Sequence, residues 1–206
     1  LIGCGLSANS TPGEGGGIVA FGSTLGLSGC TVAQNQSGRR GGAIFCFDTP
    51  VELVDSTFTD NPAAVNGGAV FAENNSPVTM TDCAATLNTS GNDGGGLHCA
   101  ERVTATLVRV EFTQNSSAVK GGAIRMQAGS TLKLSDCRLL ENTSLDGGGL
   151  FSDRGSFVTV EGGLFSGNEA TDGGGAANLP DDMTAAFSGV TITGNTAGAA
   201  AGGVYT

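Results

Sequence analysis

Two sets of residues return along this chain on one beat, and that beat constrains the fold more than anything else in it. The hexapeptides GGAIFC (41–46), GGAVFA (67–72), GGGLHC (94–99), GGAIRM (121–126) and GGGLFS (147–152) share two or three glycines followed by an aliphatic residue. Taking that residue as a marker gives Ile18, Ile44, Val70, Leu97, Ile124, Leu150, Ala176 and Val204, in steps of 26, 26, 27, 27, 26, 26 and 28. An asparagine keeps the same time at Asn9, Asn35, Asn61, Asn88, Asn115, Asn142, Asn168 and Asn195. Two independent markers holding one period from end to end require a stack of like units, each too small to fold alone.

Within a unit, three short segments alternate apolar and polar, the period of a strand with one buried face. The first carries the glycines and the marker. The second reads PVEL at 50–53 or TLKL at 131–134, and the third runs into the asparagine, as in STFTDN at 56–61. Alternation sorts the inward columns: Leu6, Val32, Phe58, Ala85, Phe112, Leu139, Phe165 and Ile192 in the third segment, and Leu27, Leu53, Met80, Leu107, Leu134, Val160 and Phe187 in the second. No ten-residue stretch has a helical period, and 36 glycines in 206 residues weigh against helices. The glycines follow no strict three-residue period, which excludes collagen. The expected fold is all-β: a single right-handed parallel β-helix over residues 1–206, with three short strands per coil. Coils ~4.8 Å apart make about seven and a half turns and a prism on the order of 35 Å long. The handedness follows the rule for parallel crossovers.

The glycines form a column at Gly16, Gly42, Gly68, Gly95, Gly122, Gly148, Gly174 and Gly202, where a turn enters a strand and only glycine tolerates the conformation or the close backbone approach. The eight asparagines are expected to stack as an amide ladder at another corner.

Composition excludes several classes. A net charge of −10 argues against nucleic acid, which is bound by clustered Lys and Arg. No apolar run in this segment reaches the ~18 residues of a membrane span. There is no CxxC and the single histidine is His98, so neither metal nor cofactor is expected. Leu1 enters in the middle of a coil and neither end has an amphipathic cap. An uncapped end is an unpaired sheet edge, so the chain is expected to be a segment of a longer solenoid.

The GGA[ILV] motif paired with FxxN, literal in FTDN (58–61), FTQN (112–115) and FSGN (165–168) and relaxed to VAQN, LLEN and ITGN elsewhere, resembles the repeats of chlamydial polymorphic outer-membrane proteins. The resemblance covers the whole chain and implies an extracellular or cell-surface β-helix; several members of that family are adhesins. The C-terminal β-barrel of that family has no counterpart here.

Five sets of residues are candidates for function. An outward column follows the marker: Val19, Phe45, Phe71, His98, Arg125, Phe151, Ala177 and Tyr205. Of these, Phe45, Phe71, His98, Arg125, Phe151 and Tyr205 are read as an exposed binding stripe. Cys30 with Cys46 and Cys83 with Cys99 have equal spacing and matching positions and are the candidate disulfides, with buried free thiols serving as small hydrophobes the favoured reading. Of the N-x-S/T sequons, Asn74 in the loop ENNSP is the candidate glycosylation site, because the others (Asn9, Asn35, Asn88, Asn115 and Asn142) belong to the ladder. Glu73, His98, Glu101, Arg102, Arg125, Asp153 and Arg154 form the densest charged cluster, in reach of the carboxylate spacings that glycosidases use. A column containing Thr59, Thr86, Thr113 and Thr193 admits ice binding, though Glu111, Arg138 and Leu164 spoil its flatness. The favoured reading is non-catalytic: a rigid stalk or adhesin-like segment that binds a protein or carbohydrate surface. Lateral or end-to-end self-association into a filament is the first alternative, and a carbohydrate-active enzyme or an ice binder the second.

Overall fold

The computed structural model describes Leu1–Thr206 as a β-solenoid without helices, in which four parallel sheets run the length of the axis. One coil illustrates all of them: Ile44–Phe47, Val51–Val54, Thr57–Thr59 and Pro62–Ala63. Three sheets contain eight strands and one contains seven, and every strand pairs in parallel with its counterpart one coil away. The fourth sheet was not expected. Its strands are two residues long and follow the ladder asparagine, too short for any alternation to show in the sequence.

The inward columns of the second and third sheets pair as the alternation requires, for example Leu53 to Met80 to Leu107 and Phe58 to Ala85 to Phe112. Together they bury one continuous apolar cluster of 38 residues, so the coils share one core. Near the seventh coil the marker shifts by one. The register pairs Leu150 with Ala177 and Ala177 with Val204, so Ala177 and not Ala176 is the core position. Gly174 likewise belongs to the column of left-handed glycines (φ +65°, as +63° at Gly147), and Gly175 takes the place expected for it. The segment DGGGAAN offers two alignments of its small residues, and inter-coil hydrogen bonding selects between them.

The glycine column has a different cause from the left-handed one. Gly68 needs no positive φ; instead, a Cβ there would overlap the carbonyl oxygen of Gly95 and lie 2.7 Å from the backbone N and O of Thr89. Two backbone segments of the coil press together at this point, and only hydrogen fits between them.

The asparagine ladder is complete. Each Nδ2 donates to the Oδ1 of the next asparagine, at 2.8 Å for Asn9 to Asn35, 3.1 Å for Asn35 to Asn61, 2.8 Å for Asn61 to Asn88, 2.9 Å for Asn88 to Asn115, 3.0 Å for Asn115 to Asn142, 2.9 Å for Asn142 to Asn168 and 2.8 Å for Asn168 to Asn195. The second Nδ2 proton goes to a carbonyl of the preceding coil, as from Asn88 to Phe58 O at 2.9 Å.

All six cysteines are free thiols, in line with the favoured reading, and the candidate disulfides between Cys30 and Cys46 and between Cys83 and Cys99 are not formed. Cys30, Cys83 and Cys137 occupy a corner also occupied by Ser56. There the thiol of Cys83 donates to Thr81 O and Leu53 O at 3.3 and 3.4 Å, as the hydroxyl of Ser56 donates to Val54 O at 2.8 Å. Cys46 and Cys99 sit in the apolar core of a different sheet, where burial pushes the Cys46 thiol up to about 12 and Cys99 in the same direction. The cysteines are satisfied locally, as small donors or small hydrophobes.

Candidate functional site

The stripe arises from the turn that precedes each glycine strand. Four residues before the marker stand Glu14, Arg40, Asn66, Asp93, Lys120 and Asp146, and the last five pair in parallel from coil to coil. The left-handed glycine that follows folds this position back over the first outward residue of the strand: a Cβ at Gly67 would lie 2.8 Å from the Cβ of Phe71. Long polar side chains in the turn therefore lie across the stripe.

The structure brings five of the six expected stripe residues into one stack, and it covers them. Phe45 and Phe71 stack at 5.6 Å with planes 3° apart, and His98 continues the stack 4.9 Å from Phe71. The Arg40 guanidinium lies 4.9 Å from the Phe45 ring centre and 4.8 Å from that of Phe71, anchored by Glu14 at 3.0 Å and Glu73 at 2.8 Å. Lys120 and Arg125 cover Phe151 at 4.5 and 4.8 Å. Phe45, Phe71, His98, Arg125 and Phe151 are each at most 6% exposed, and only Tyr205 is open to solvent. Asn178, not Ala177, is the stripe's member in the seventh coil, and its amide donates to Asp146 Oδ1 at 3.3 Å. The expectation of an exposed binding stripe is thus corrected: the row is a second core outside the sheet, closed by cation–π contacts.

The charged cluster divides in the same way. Arg125 is buried and pairs with Asp153 at 2.6 Å and Asp93 at 3.5 Å. Burial raises the Asp93 carboxyl, an effect that Arg125 partly offsets. His98 is fully buried, with Nδ1 3.4 Å from Asp93 O, which requires the proton on Nδ1; Nε2 has no partner. Glu101 and Arg102 instead stand on an exposed loop, as does Arg154. The seven charged residues do not form one constellation.

Burial first, and the nearby Arg125 second, push His98 down to about 3, whereas an unfolded histidine titrates at 6.5. The unfolded chain therefore binds the extra proton as pH falls below about 6.5, and stability that is fully present at neutral pH is lost at up to about 1.4 kcal/mol per pH unit. Asp93 acts in the opposite sense, because burial raises its folded carboxyl, which takes up a proton more readily than the unfolded one. Stability is therefore expected to fall by about 2 kcal/mol from pH 6.5 to pH 5. The variant His98→Phe, which extends the ring column, should lose this slope. Urea midpoints at the two pH values check it, and an equal slope in both proteins would rule His98 out as the cause.

Accessible aromatic surface lies two residues further along the strand, at positions not singled out in the sequence. Phe21 is 61% and Phe47 36% exposed, with ring centres 6.0 Å apart, and Phe21 rests on Phe45 at 5.7 Å. Their register partner in the next coil is Glu73. Beside Phe47 opens a groove of about 440 Å³ lined by Glu73, Asn74, Ala100, Glu101, Arg102 and Gln127. The signal was present: IVAF and IFCF place outward residues at both the second and fourth positions. The turn reaches the first of them and not the second. Asn74 is exposed at the groove's edge, while Ser76 of its sequon is buried and donates to Glu73 O at 2.7 Å.

No helix is long and apolar enough to cross a membrane. No curated protein and no solved structure matches the chain. The family described as the right-handed beta helix region matches residues 15–205, the stretch that carries all eight glycine strands and all but the first asparagine of the ladder. With its period, parallel register and shared core in place, the chain belongs to the right-handed β-helix family.

Proposed function

We propose that this chain is a non-catalytic, rigid segment of an extracellular or cell-surface β-helix, of the kind its likeness to chlamydial polymorphic outer-membrane repeats suggests, and that it contacts a protein or carbohydrate surface through Phe21, Phe47 and the adjoining groove. The observation that carries the reading is a contrast. Every aromatic side chain of the neighbouring stripe from Phe45 to Phe151 is covered by a turn residue, yet Phe21 and Phe47 are left open beside a groove lined by donors and acceptors. Stiffness supports the stalk component. The ladder and two cores, one on each face of the glycine sheet, run through consecutive coils, so bending strains all of them together.

The charged groups favour a non-catalytic role. Glu73 is committed to Arg40 and Asp153 to Arg125, which leaves Glu101 without a second free carboxylate among the candidates. The threonine face is equally occupied, since the Thr113 hydroxyl is held by Glu111 at 3.0 Å and Leu140 interrupts the row.

The test uses beads coated with the chain on a panel of immobilised polysaccharides and proteins, with a layer of the chain itself included. The double variant Phe21→Ser, Phe47→Ser should keep its denaturation midpoint within about 1 kcal/mol of stability, since both rings are surface groups, and lose at least ten-fold in capture. Undiminished capture would refute the patch. Capture on the chain's own layer alone would favour the filament, and release of reducing ends from a polysaccharide would favour an enzyme.

A further inference from the structure

Four sequons of this chain are built on asparagines that are completely buried: Asn35, Asn88, Asn115 and Asn142 are each 0% exposed. N-glycosylation joins the Asn Nδ2 to the anomeric carbon of a sugar carried on a lipid pyrophosphate, which leaves; the amide gives up one of its two protons. In this fold neither proton is spare. Asn115 Nδ2 donates to Ala85 O at 2.8 Å and to Asn142 Oδ1 at 3.0 Å, and Asn142 Nδ2 donates to Phe112 O and Asn168 Oδ1, both at 2.9 Å. A sugar at any of these positions removes a ladder bond and places a bulky polar group where no solvent reaches. The transferase acts on a flexible, accessible chain, so modification would precede folding and prevent it.

Three of the four hydroxyls that complete these sequons make no hydrogen bond in the fold. Ser37, Ser90 and Ser117 are buried, and their hydroxyls have no hydrogen-bond partner. Ala63, the register partner of Ser37 and Ser90, shows that alanine fits the position, as Ala170 does opposite Ser144, whose hydroxyl donates to Asp146 O at 2.7 Å. The chain thus carries four complete glycosylation signals that its architecture cannot use, three of them ending in a hydroxyl that the fold leaves unbonded. We propose that it reaches its fold by a route that bypasses N-glycosylation, independently of what its surface binds. The exposed Asn74, the expected glycan site, is then unmodified as well.

The experiment places the chain behind a secretory leader in a eukaryotic host, with and without an inhibitor of lipid-linked oligosaccharide synthesis. It is compared with the variant Ser37→Ala, Ser90→Ala, Ser117→Ala, Ser144→Ala and with wild type from bacterial cytosol. Asn9 and Asn74 remain as sequons in the variant and report access of the transferase. Wild type is expected to acquire glycans at one or more of the four buried asparagines, and those molecules to lose the protease-resistant core of the bacterial product. The inhibitor and the variant should each restore it. Wild type secreted with a resistant core, whether glycosylated or unmodified at the four positions, overturns the proposal. So does protease-sensitive protein from inhibitor-treated cells, because the failure would then owe nothing to sugar.

Discussion

Replacing Asn88 with alanine is expected to destabilise the chain by about 4 kcal/mol, far more than its small volume change suggests. The side chain takes part in four buried hydrogen bonds: Oδ1 accepts from Asn61 N and Asn61 Nδ2 at 3.1 and 2.8 Å, and Nδ2 donates to Phe58 O and Asn115 Oδ1, both at 2.9 Å. Alanine removes all four bonds; Asn115 Oδ1 keeps the bond from Asn88 N and Asn61 Nδ2 keeps Val32 O, but Asn61 N and one Asn61 Nδ2 proton lose their acceptor and Phe58 O loses a donor, and each buried group left unpaired costs about 1–3 kcal/mol. Asn9, exposed in the first coil and bonded to Asn35 alone, supplies the comparison. Asn9→Ala should cost about 1 kcal/mol. Urea denaturation of both variants measures the difference, and equal losses would mean that the ladder records coil stacking without causing it.

A second large effect is expected at Gly68. Adding one methyl group there sets a Cβ into the backbone of Thr89 and the carbonyl of Gly95, neither of which is the movable end of a side chain. Accommodation requires two coils to part, breaking the ladder and the parallel pairing on either side. Gly68→Ala should therefore cost about 4 kcal/mol or more, at the extreme of single-residue effects. Gly26 is the control: its backbone is not left-handed and a Cβ there meets nothing within 4 Å. Gly26→Ala should change stability by less than about 0.5 kcal/mol. If both variants melt together, close approach is not what the glycine column serves.

Legibility in the sequence followed the reach of each interaction. The period, the inward columns and the asparagine ladder could be read because each depends on one residue meeting its counterpart a fixed number of positions away. The fourth sheet could not, because Gln36–Ser37 and its equivalents are too short to alternate. The register slip at Ala176 had the same origin: in DGGGAAN the residues are small and alike, and sequence spacing supplies no reason to prefer one alignment. The sequence left the cysteine pairs open, with free thiols favoured, because equal spacing says nothing about whether two columns face each other across the core.

The largest revision concerns the surface. Alternation alone established that Phe45, Phe71, His98, Arg125 and Phe151 point away from the inner core, and they do. Whether a residue that points outward meets water depends on what the adjoining turn carries. Here Arg40 and Lys120, turned back by the left-handed glycines, close over the row and leave Phe21 and Phe47 open two residues on. By itself, then, the sequence determined the solenoid, its period and its ladder, since these are set by identical residues stacking on one another. Tertiary structure alone decided which outward side chains are accessible, because that depends on unlike residues from different segments packing across a turn, and no repeat pattern encodes it.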